Sequence, residues 1–545
     1  RGARAGGAEC QRGCAAARAR ARRPPMRRGC TGARPLAALI AGCCAASAFA
    51  DSGLFLGGNG GVRPPVVLVP GIVGSSLEVR LHDAPVPHWE CTRDTYSSWK
   101  KVWVDPALLL VPRWKNCLVS YLTLTYNASS DTYSNLPGLE MRTRGFGKDE
   151  KVDMLYRLEF GTLLGHLEGE LGYEAGRDLF LAPYDWRLAG DAHAKRRSSD
   201  GVGGFYAELQ EMIEQGVSTS GRKAVVVSHS LGCPTMLHFL HTFVSEEWRA
   251  EHIQEWVALA GPWLGSAMQA KAYLSGYTLG APQWLISHDY VKSVQVNSSS
   301  GVWLSPSPLA FGDTPLVTTP SRNYSAKDLT HLIALSGAQA GGEQALALHK
   351  KLKGHLESLQ RPPANVPTHI WYSTGVSTPL RFEYALEVTE DFNEVPINEF
   401  YGDGDGTVNI QSLRYPELHW PRDSSPFSTK VFPDVSHTAL LSDPRFLKAL
   451  TERLRPLLHP APSLRPSPLD GDLLSALRPV ERAASPLLAG APQLLKWSEG
   501  GRTGARLAGC LAPMALLAFS LCPLVLVSRR GSSTRSAPGL GLQLV

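Results

Sequence analysis

The stretch Val-Val-Val-Ser-His-Ser-Leu-Gly at residues 225–232 decides what this chain folds into. A β-branched run stops at a small-x-Ser-x-Gly turn, and a helical pattern follows over residues 233–243. Strand, sharp turn and helix in this order form a nucleophile elbow, which raises the central Ser230 above the carboxyl edge of a parallel sheet. The first small position is Ser228 rather than glycine, and the five-residue pattern is common by chance, so the elbow needs support from elsewhere in the chain.

The composition predicts a mostly globular chain, because 43% of the 545 residues are apolar and 19% are charged. The net charge of +6 comes from residues 1–50, which hold ten arginines and one acidic residue. The remainder of the chain is slightly acidic, which argues against a nucleic-acid partner. Nothing in the composition indicates an obligate protein partner.

Three cysteines, Cys91, Cys117 and Cys233, belong to the presumed folded body. Cys233 follows the elbow and is expected to pack as a small apolar side chain. Cys91 and Cys117 are therefore the predicted disulfide, which implies an oxidising compartment. The cysteine spacing fits no zinc site.

The two ends of the chain carry targeting patterns. Residues 1–50 form a low-complexity leader, in which 26–50 have the charged start, apolar stretch and Ala-Phe-Ala end of a signal peptide. A transit peptide is the competing interpretation.

Residues 507–527 are 21 uncharged, mainly apolar residues, which predict a transmembrane helix after a Pro-rich tether at 456–505. The short basic tail, 528–545, would lie in the cytosol. The predicted localisation is the secretory pathway, as a single-pass type I membrane protein with a lumenal or extracellular catalytic domain.

Residues 51–455 are the predicted working domain, in which strands alternate with helices. The predicted strands, besides the one that enters the elbow, are 66–69, 178–181, 255–260, 368–373 and 428–431. This alternation predicts an α/β-hydrolase fold with a mainly parallel sheet. Two insertions, 82–150 and 266–365, interrupt it, and such insertions normally form lids or substrate-binding caps.

A serine nucleophile needs a base and an orienting carboxylate, which follow it in this fold in the order acid, then histidine. The glycine-rich turn 401–408 offers two carboxylates, Asp403 and Asp405, and His437 precedes the last predicted helix. A calcium-binding loop is the alternative for this turn, although it lacks further spaced oxygen ligands. We interpret His229, inside the elbow, as structural.

The oxyanion of the tetrahedral intermediate needs two backbone N–H donors. Position in the fold assigns them to Leu231, which follows the nucleophile, and to Ile72, in the loop after the first strand.

Several further segments resemble one family in the same order along the chain. They are Val-Leu-Val-Pro-Gly at 67–71, Pro-Gly through Gly-Phe-Gly at 137–147, Ala-Pro-Tyr-Asp-Trp-Arg at 182–187 and Gly-Pro-Trp-Leu-Gly-Ser at 261–266. Over about 64–455 the chain resembles the lecithin:cholesterol acyltransferase family, which includes lysosomal phospholipase A and the phospholipid:diacylglycerol acyltransferases.

The resemblance implies Ser230 as nucleophile, Asp405 rather than Asp403 as acid, and His437 as base. It implies a serine-dependent lipid acyl-ester hydrolase or O-acyltransferase, which moves a fatty-acyl chain from a glycerophospholipid, via an acyl-enzyme, to water or a lipid alcohol. A phospholipid membrane surface and lipid acyl donors and acceptors are the implied partners, and no metal or organic cofactor is implied. The alternatives are a serine esterase for non-phospholipid esters and a catalytically silent lipid-binding protein.

The resemblance also assigns the two insertions. The region 82–150 would be a membrane-binding subdomain closed by the cysteine pair, and 291–313 a mobile lid within the cap 266–365. The residues assigned to these parts are Trp103, Leu108, Leu109 and Leu110 for lipid insertion and Trp303 for the lid. Packing into the body is the alternative for the apolar loop residues. Sequons predict glycosylation at Asn127, Asn297 and Asn323.

Overall fold

The structure, a computed structural model, describes residues 63–144, 154–278, 286–336, 342–389, 392–422 and 425–458. Its strands are β1 Val66–Val69, β2 Leu77–Leu81, β3 Lys100–Trp103, β4 Thr125–Asn127, β5 Thr132–Ser134, β6 Leu139–Thr143, β7 Leu179–Leu181, β8 Ala224–His229, β9 Ile253–Leu259, β10 Val317–Thr318, β11 Asn323–Tyr324, β12 Thr368–Thr374, β13 Thr378–Glu383, β14 Asn398–Gly402 and β15 Phe427–Pro433.

A six-stranded parallel sheet is the centre of the fold, in the order β15-β12-β9-β8-β1-β7. The strand order reverses beside β1, because β7 pairs with one of its edges and β8 with the other. Loops that leave the carboxyl ends on either side of such a reversal open a crevice. The loops after β1 and β8 meet there, which confirms the predicted α/β-hydrolase fold.

The central strands form where the sequence has unbroken β-branched runs. β1 and β8 are buried at every position, as expected for parallel strands covered on both faces. The predicted strands are present, with ends that differ from the predicted ones by at most two residues.

Helices cover both faces of this sheet and build the insertions. Those of the described segments are Pro106–Leu110, Lys115–Leu122, Met154–Leu171, Asp191–Ala194, Phe205–Ser220, Gly232–His238, Glu246–His252, Met268–Ser275, His288–Asn297, Ser299–Trp303, Pro308–Phe311, Leu329–Ser336, Gly342–Ser358, Ile410–Leu413, Tyr415–His419 and Pro444–Leu454. The elbow helix Gly232–His238 continues as a π-helical turn, Phe239–Phe243. Asp443 caps the last helix by accepting a hydrogen bond from the N–H of Arg445.

An antiparallel sheet in the order β3-β2-β6 joins β2, just before the first insertion, to two strands of that insertion. The insertion also contains the predicted disulfide, in which the Cys91 and Cys117 sulfurs are 2.07 Å apart. A second sheet, β11-β10-β13-β14, stands beside the central one and was not predicted. β14, which leads into the turn 401–408, belongs to this second sheet. Its four exposed or half-buried side chains lack the apolar pattern of a central strand.

The sequence-based localisation requires a correction. Within the described segments, no helix is both long enough and apolar enough to cross a membrane. The longest helix, Met154–Leu171, carries an arginine and three glutamates. Most other buried apolar residues belong to shorter strands and helices of the core. The single-pass type I membrane localisation is therefore withdrawn. Several predicted features lie outside the described residues. They are the leader 1–50 with its signal peptide 26–50, most of the tether 456–505, the apolar stretch 507–527 and the basic tail 528–545.

Candidate active site

The elbow places Ser230 at the apex of a strained turn. Its backbone φ is +52°, a left-handed value that few non-glycine residues adopt. A Cβ on Gly232 would lie 2.6 Å from the Pro70 carbonyl oxygen, so the turn requires glycine there. At the first small position a side chain is accommodated, because the Ser228 hydroxyl accepts a hydrogen bond of 2.8 Å from Trp256 Nε1.

Asp405 and His437 form a buried pair. Asp405 Oδ2 lies 2.6 Å from His437 Nδ1, and its side chain is fully buried. The other carboxylate oxygen, Oδ1, accepts hydrogen bonds from the N–H groups of Thr407 (3.0 Å) and Val408 (2.7 Å). The His437 N–H also donates to the Asp405 carbonyl oxygen at 2.8 Å. Together these contacts fix the ring orientation and favour a proton on Nδ1, which leaves Nε2 available as a base.

The second carboxylate of the turn points elsewhere. Asp403 is exposed, and its Oδ1 accepts a hydrogen bond of 2.7 Å from the N–H of Gly375. Asp405 is consequently the carboxylate of this turn that contacts His437. The two carboxylates do not face a common point, in contrast to the calcium-loop interpretation.

The third contact of a catalytic triad is not formed here. His437 Nε2 is buried and has no hydrogen-bond partner among the described residues, so Ser230 Oγ is not bonded to it. Catalytic hydrogen bonds are often long or misaligned before substrate binds. Ser230 or His437 would have to move to join nucleophile and base.

Sequence reasoning missed Glu159, which lies under the nucleophile turn. Its Oε1 is 2.7 Å from His229 Nδ1 and accepts a hydrogen bond of 2.8 Å from the N–H of Gly71. His229 Nε2 in turn lies 3.3 Å from the His437 carbonyl oxygen. Glu159 thereby connects the loop after β1, the elbow and the loop of the candidate base. No local pattern marks it, because its contacts are 70 and 88 residues away along the chain.

The candidate oxyanion donors border the same crevice. Neither the Ile72 nor the Leu231 N–H donates a hydrogen bond to another described residue, so both remain available for an oxyanion. A cavity of about 80 Å³ opens beside Ser230, with a mainly apolar lining that includes Ile72, Trp186, Gln295, Leu304 and Val408. Pockets that bury a drug-sized ligand hold roughly 300–1,000 Å³, so an acyl chain requires this one to open.

The residues assigned to lipid insertion lie in different surroundings. The Trp103 ring packs edge-on against Trp186 with centroids 5.3 Å apart, and its Nε1 donates to the Val73 carbonyl oxygen at 2.9 Å. Leu108 and Leu109 are half-buried against the core, whereas Leu110 is 58% exposed. Trp103 thus supports the wall of the cavity, and Leu110 is the member of this set that faces solvent.

The predicted lid and glycosylation residues also differ in their exposure to solvent. Trp303 is buried beside His238, 5.3 Å between ring centroids, and does not line the cavity at Ser230. Asn127 and Asn323 are exposed. Asn297 is buried, and its amide donates to the Ser293 carbonyl oxygen at 2.8 Å, which differs from the surface position expected of a glycan acceptor.

A buried ion pair follows directly after β7. Arg187, which is fully buried, donates to Asp185 through Nε (2.9 Å) and Nη2 (2.7 Å). It also donates to the Leu122 carbonyl oxygen (3.1 Å) and to Asn135 Oδ1 (2.9 Å). Burial alone would raise the pKa of Asp185, but the Arg187 charge and hydrogen bonds lower that pKa below its usual value. The pair holds the first insertion against the cavity wall formed by Trp186.

Other reactive groups near the elbow are constrained. Burial raises the pKa of the Cys233 thiol to about 12, so this residue is a neutral thiol and not a competing nucleophile. Two clusters of possible metal ligands occur in the described segments, both away from the cavity. One consists of His88 and the disulfide-bonded Cys91 and Cys117, whose sulfurs are not available as thiolates.

Comparison with known proteins gives consistent matches. A family model described as lecithin:cholesterol acyltransferase matches residues 98–350. The chain is 34% identical to lecithin-cholesterol acyltransferase-like 1 of Arabidopsis thaliana over 72% of its own length and 89% of that protein. It is 32% identical to a lysosomal phospholipase A and acyltransferase of Rattus norvegicus, over 70% and 88% of the two chains. A phosphatidylcholine-sterol acyltransferase of Mus musculus is 29% identical, over 74% and 89%.

Proposed function

Because this chain belongs to the lecithin:cholesterol acyltransferase family, a family of enzymes with lipid acyltransferase and phospholipase activity, we propose that it uses Ser230 to move a fatty-acyl chain from a glycerophospholipid. The acyl chain passes through an acyl-enzyme to water or to a lipid alcohol. The substrates reach the cavity from a phospholipid surface, and Leu110, the exposed member of the apolar loop, contacts that surface.

The first half-reaction transfers the acyl group to the protein. His437 Nε2 takes the proton of the Ser230 hydroxyl as its oxygen attacks the ester carbonyl. Charge develops on the carbonyl oxygen, which accepts hydrogen bonds from the N–H groups of Ile72 and Leu231. His437 returns the proton to the leaving oxygen, and a lysophospholipid departs.

The second half-reaction repeats these steps with a new nucleophile. His437 deprotonates water or a lipid alcohol, which attacks the acyl-enzyme, and Ser230 leaves with the proton restored. Asp405 stabilises the imidazolium that forms in each half-reaction. Whether water competes with an alcohol depends on how well the cap excludes it, because both enter by the same crevice.

One observation carries the proposal: Asp405 holds His437 through Nδ1 and leaves Nε2 buried and unpaired in the part of the chain described. A buried nitrogen without a partner loses about 1–3 kcal/mol of hydration, and a substrate or the Ser230 hydroxyl could supply the missing hydrogen bond. The neighbouring elbow supplies the hydroxyl with which it would react.

A fluorophosphonate probe tests the nucleophile. We expect rapid labelling of the wild-type protein at Ser230, no labelling of Ser230→Ala, and unchanged labelling of Ser228→Ala as the matched serine control. Persistent labelling of Ser230→Ala refutes the assignment. Unfolding temperatures of all three proteins show whether the folds are comparable.

The substrate is tested by product analysis with phosphatidylcholine labelled in one acyl chain, in vesicles that also contain a sterol, diacylglycerol or ceramide. Labelled fatty acid or an acylated alcohol, lost in Ser230→Ala, supports the proposal. Turnover of a short soluble ester without any lipid product would instead favour the esterase alternative.

A further inference from the structure

Three side chains from separate parts of the fold converge beside the elbow helix. Asp191 begins the helix Asp191–Ala194, His238 ends the elbow helix Gly232–His238, and His355 lies in the cap helix Gly342–Ser358. Asp191 Oδ1 is 3.5 Å from His238 Nε2 and 3.8 Å from His355 Nδ1. All three candidate donor atoms lie within 4.8 Å of one another. One oxygen and two imidazole nitrogens therefore lie close enough together to share one ligand.

Thr242 packs against the ring of His238. The Thr242 hydroxyl donates its hydrogen to the His238 carbonyl oxygen at 2.7 Å, and the same oxygen lies 3.0 Å from Nδ1 and 3.5 Å from Nε2. These distances fit either neutral tautomer of His238. In the tautomer with its proton on Nδ1, Nε2 carries a lone pair on the side of Asp191, and a cation between the two would bind both.

We propose that Asp191, His238 and His355 bind a divalent transition-metal ion of the zinc class. Imidazole and carboxylate are ordinary zinc ligands, and bonds of about 2.0–2.2 Å in tetrahedral geometry place ligand atoms about 3.3 Å apart. The distances from Asp191 Oδ1 need to shorten by roughly half an ångström or less to reach this value. Three protein ligands leave the fourth position to water.

The surroundings permit an ion to enter and leave. The Asp191 and His355 side chains are 42% and 28% exposed, whereas His238 is 1% exposed. Lys351 is the nearby competing cation. It lies 4.0 Å from the other oxygen of Asp191, Oδ2, and has a much shorter contact with Asp131 Oδ1. Asp191 Oδ1 is thus left facing the two histidines.

An ion at this point would join the cap to the hydrolase core. His238 lies eight positions after the nucleophile on the elbow helix, and His355 lies on the cap helix that packs over Trp303. The ion would hold the cap helix against the elbow helix. Its role is structural, and it takes no part in the acyl transfer proposed above, so either proposal can fail without the other.

Zinc binding to the purified full chain, with any affinity tag removed, tests the inference. We expect one zinc ion per chain after dialysis, measured by mass spectrometry of the metal, and a higher unfolding temperature with zinc than with a chelator. Asp191→Asn and His355→Ala should weaken zinc affinity by at least about 100-fold.

Two controls separate this site from other histidines. His331→Ala removes an exposed cap histidine and should bind zinc like the wild type. His437→Ala removes the candidate catalytic base and should also retain the ion. Absence of zinc binding and of a thermal shift in the wild type overturns the proposal, and Asp191 and His238 then form a hydrogen bond without a metal ion. Equal zinc affinity of wild type and His355→Ala overturns it as well.

Discussion

Replacing Asp185 by asparagine should destabilise the protein far more than the loss of a surface charge does. The substitution leaves Arg187, which is fully buried, without a counter-charge. Breaking a buried pair from one side costs about 3–5 kcal/mol, because the remaining ion stays desolvated. Asparagine keeps one acceptor oxygen, and Leu122 and Asn135 still accept from the guanidinium, so about 3 kcal/mol is the expected value.

This loss converts into a modest thermal shift because the folded body is large. Residues 63–458 are about 400 residues, and unfolding entropy near 2.1 cal/mol/K per residue gives roughly 0.8 kcal/mol/K. A loss of about 3 kcal/mol therefore lowers the unfolding temperature by about 4 °C at neutral pH. The matched control is Asp313→Asn, which breaks an exposed pair with Lys327 and should shift it by less than about 1 °C.

The gap in unfolding temperature between wild type and Asp185→Asn should narrow in acid. The pKa of Asp185 in the folded state lies below its usual 3.8, so between these two values the unfolded chain binds more protons. The stability from the pair is therefore fully present above about pH 4 and is lost as the pH falls through the folded pKa. Thermal melts followed by circular dichroism should give a constant gap between wild type and Asp185→Asn from pH 7 to 5, and a narrowing gap below 4. A gap under 1 °C at pH 7, or one that widens in acid, refutes this reasoning.

Three further predictions test the surroundings of the site. Glu159→Ala should lower kcat on soluble and lipid esters by roughly 10–100-fold, because it removes charged hydrogen bonds from two loops of the site. Glu168 is exposed on the same helix, and Glu168→Ala should leave kcat unchanged. Trp103→Ser should lower turnover of a soluble ester and of vesicle phospholipid, because the Trp103 ring supports the cavity wall. Leu110→Ser should lower turnover of vesicle phospholipid alone. Equal loss of soluble-ester activity in both variants would contradict this division. Replacing Cys91 and its disulfide partner by serine opens a loop of about 25 residues and should cost ~3–4 kcal/mol, or about 4 °C in a melt; insensitivity of the melt to reductant would contradict it.

The fold was predictable because its signals are local. A buried parallel strand needs a short β-branched run, and the run 225–227 ends at a turn whose small residues allow strand and helix to pack closely. The second sheet was missed because β14 alternates poorly and is half exposed, so no apolar period marks it. The order of serine, acid and histidine followed from chain connectivity in this fold. The family resemblance predicts Asp405 rather than Asp403 as the acid, and Asp405 is the carboxylate of this turn that contacts His437.

The contacts and exposure of individual side chains were less predictable than the fold. An apolar loop near a site can insert into lipid or pack inward, and hydropathy is the same in both cases. Trp103 packs inward because its ring contacts Trp186 and its Nε1 donates to the Val73 carbonyl oxygen, whereas Leu110 faces solvent. Trp303 is likewise buried beside His238 rather than exposed on a lid.

Neighbouring residues or short ordered motifs are enough to predict the parallel sheet, the turn that presents Ser230, the family and the disulfide pair. In contrast, Glu159 contacts the candidate site, and Asp191, His238 and His355 come together, through the three-dimensional packing of the chain. Those groups are separated by between 47 and 164 residues along the chain. Their contacts depend on how whole helices pack, which no local periodicity or spacing encodes.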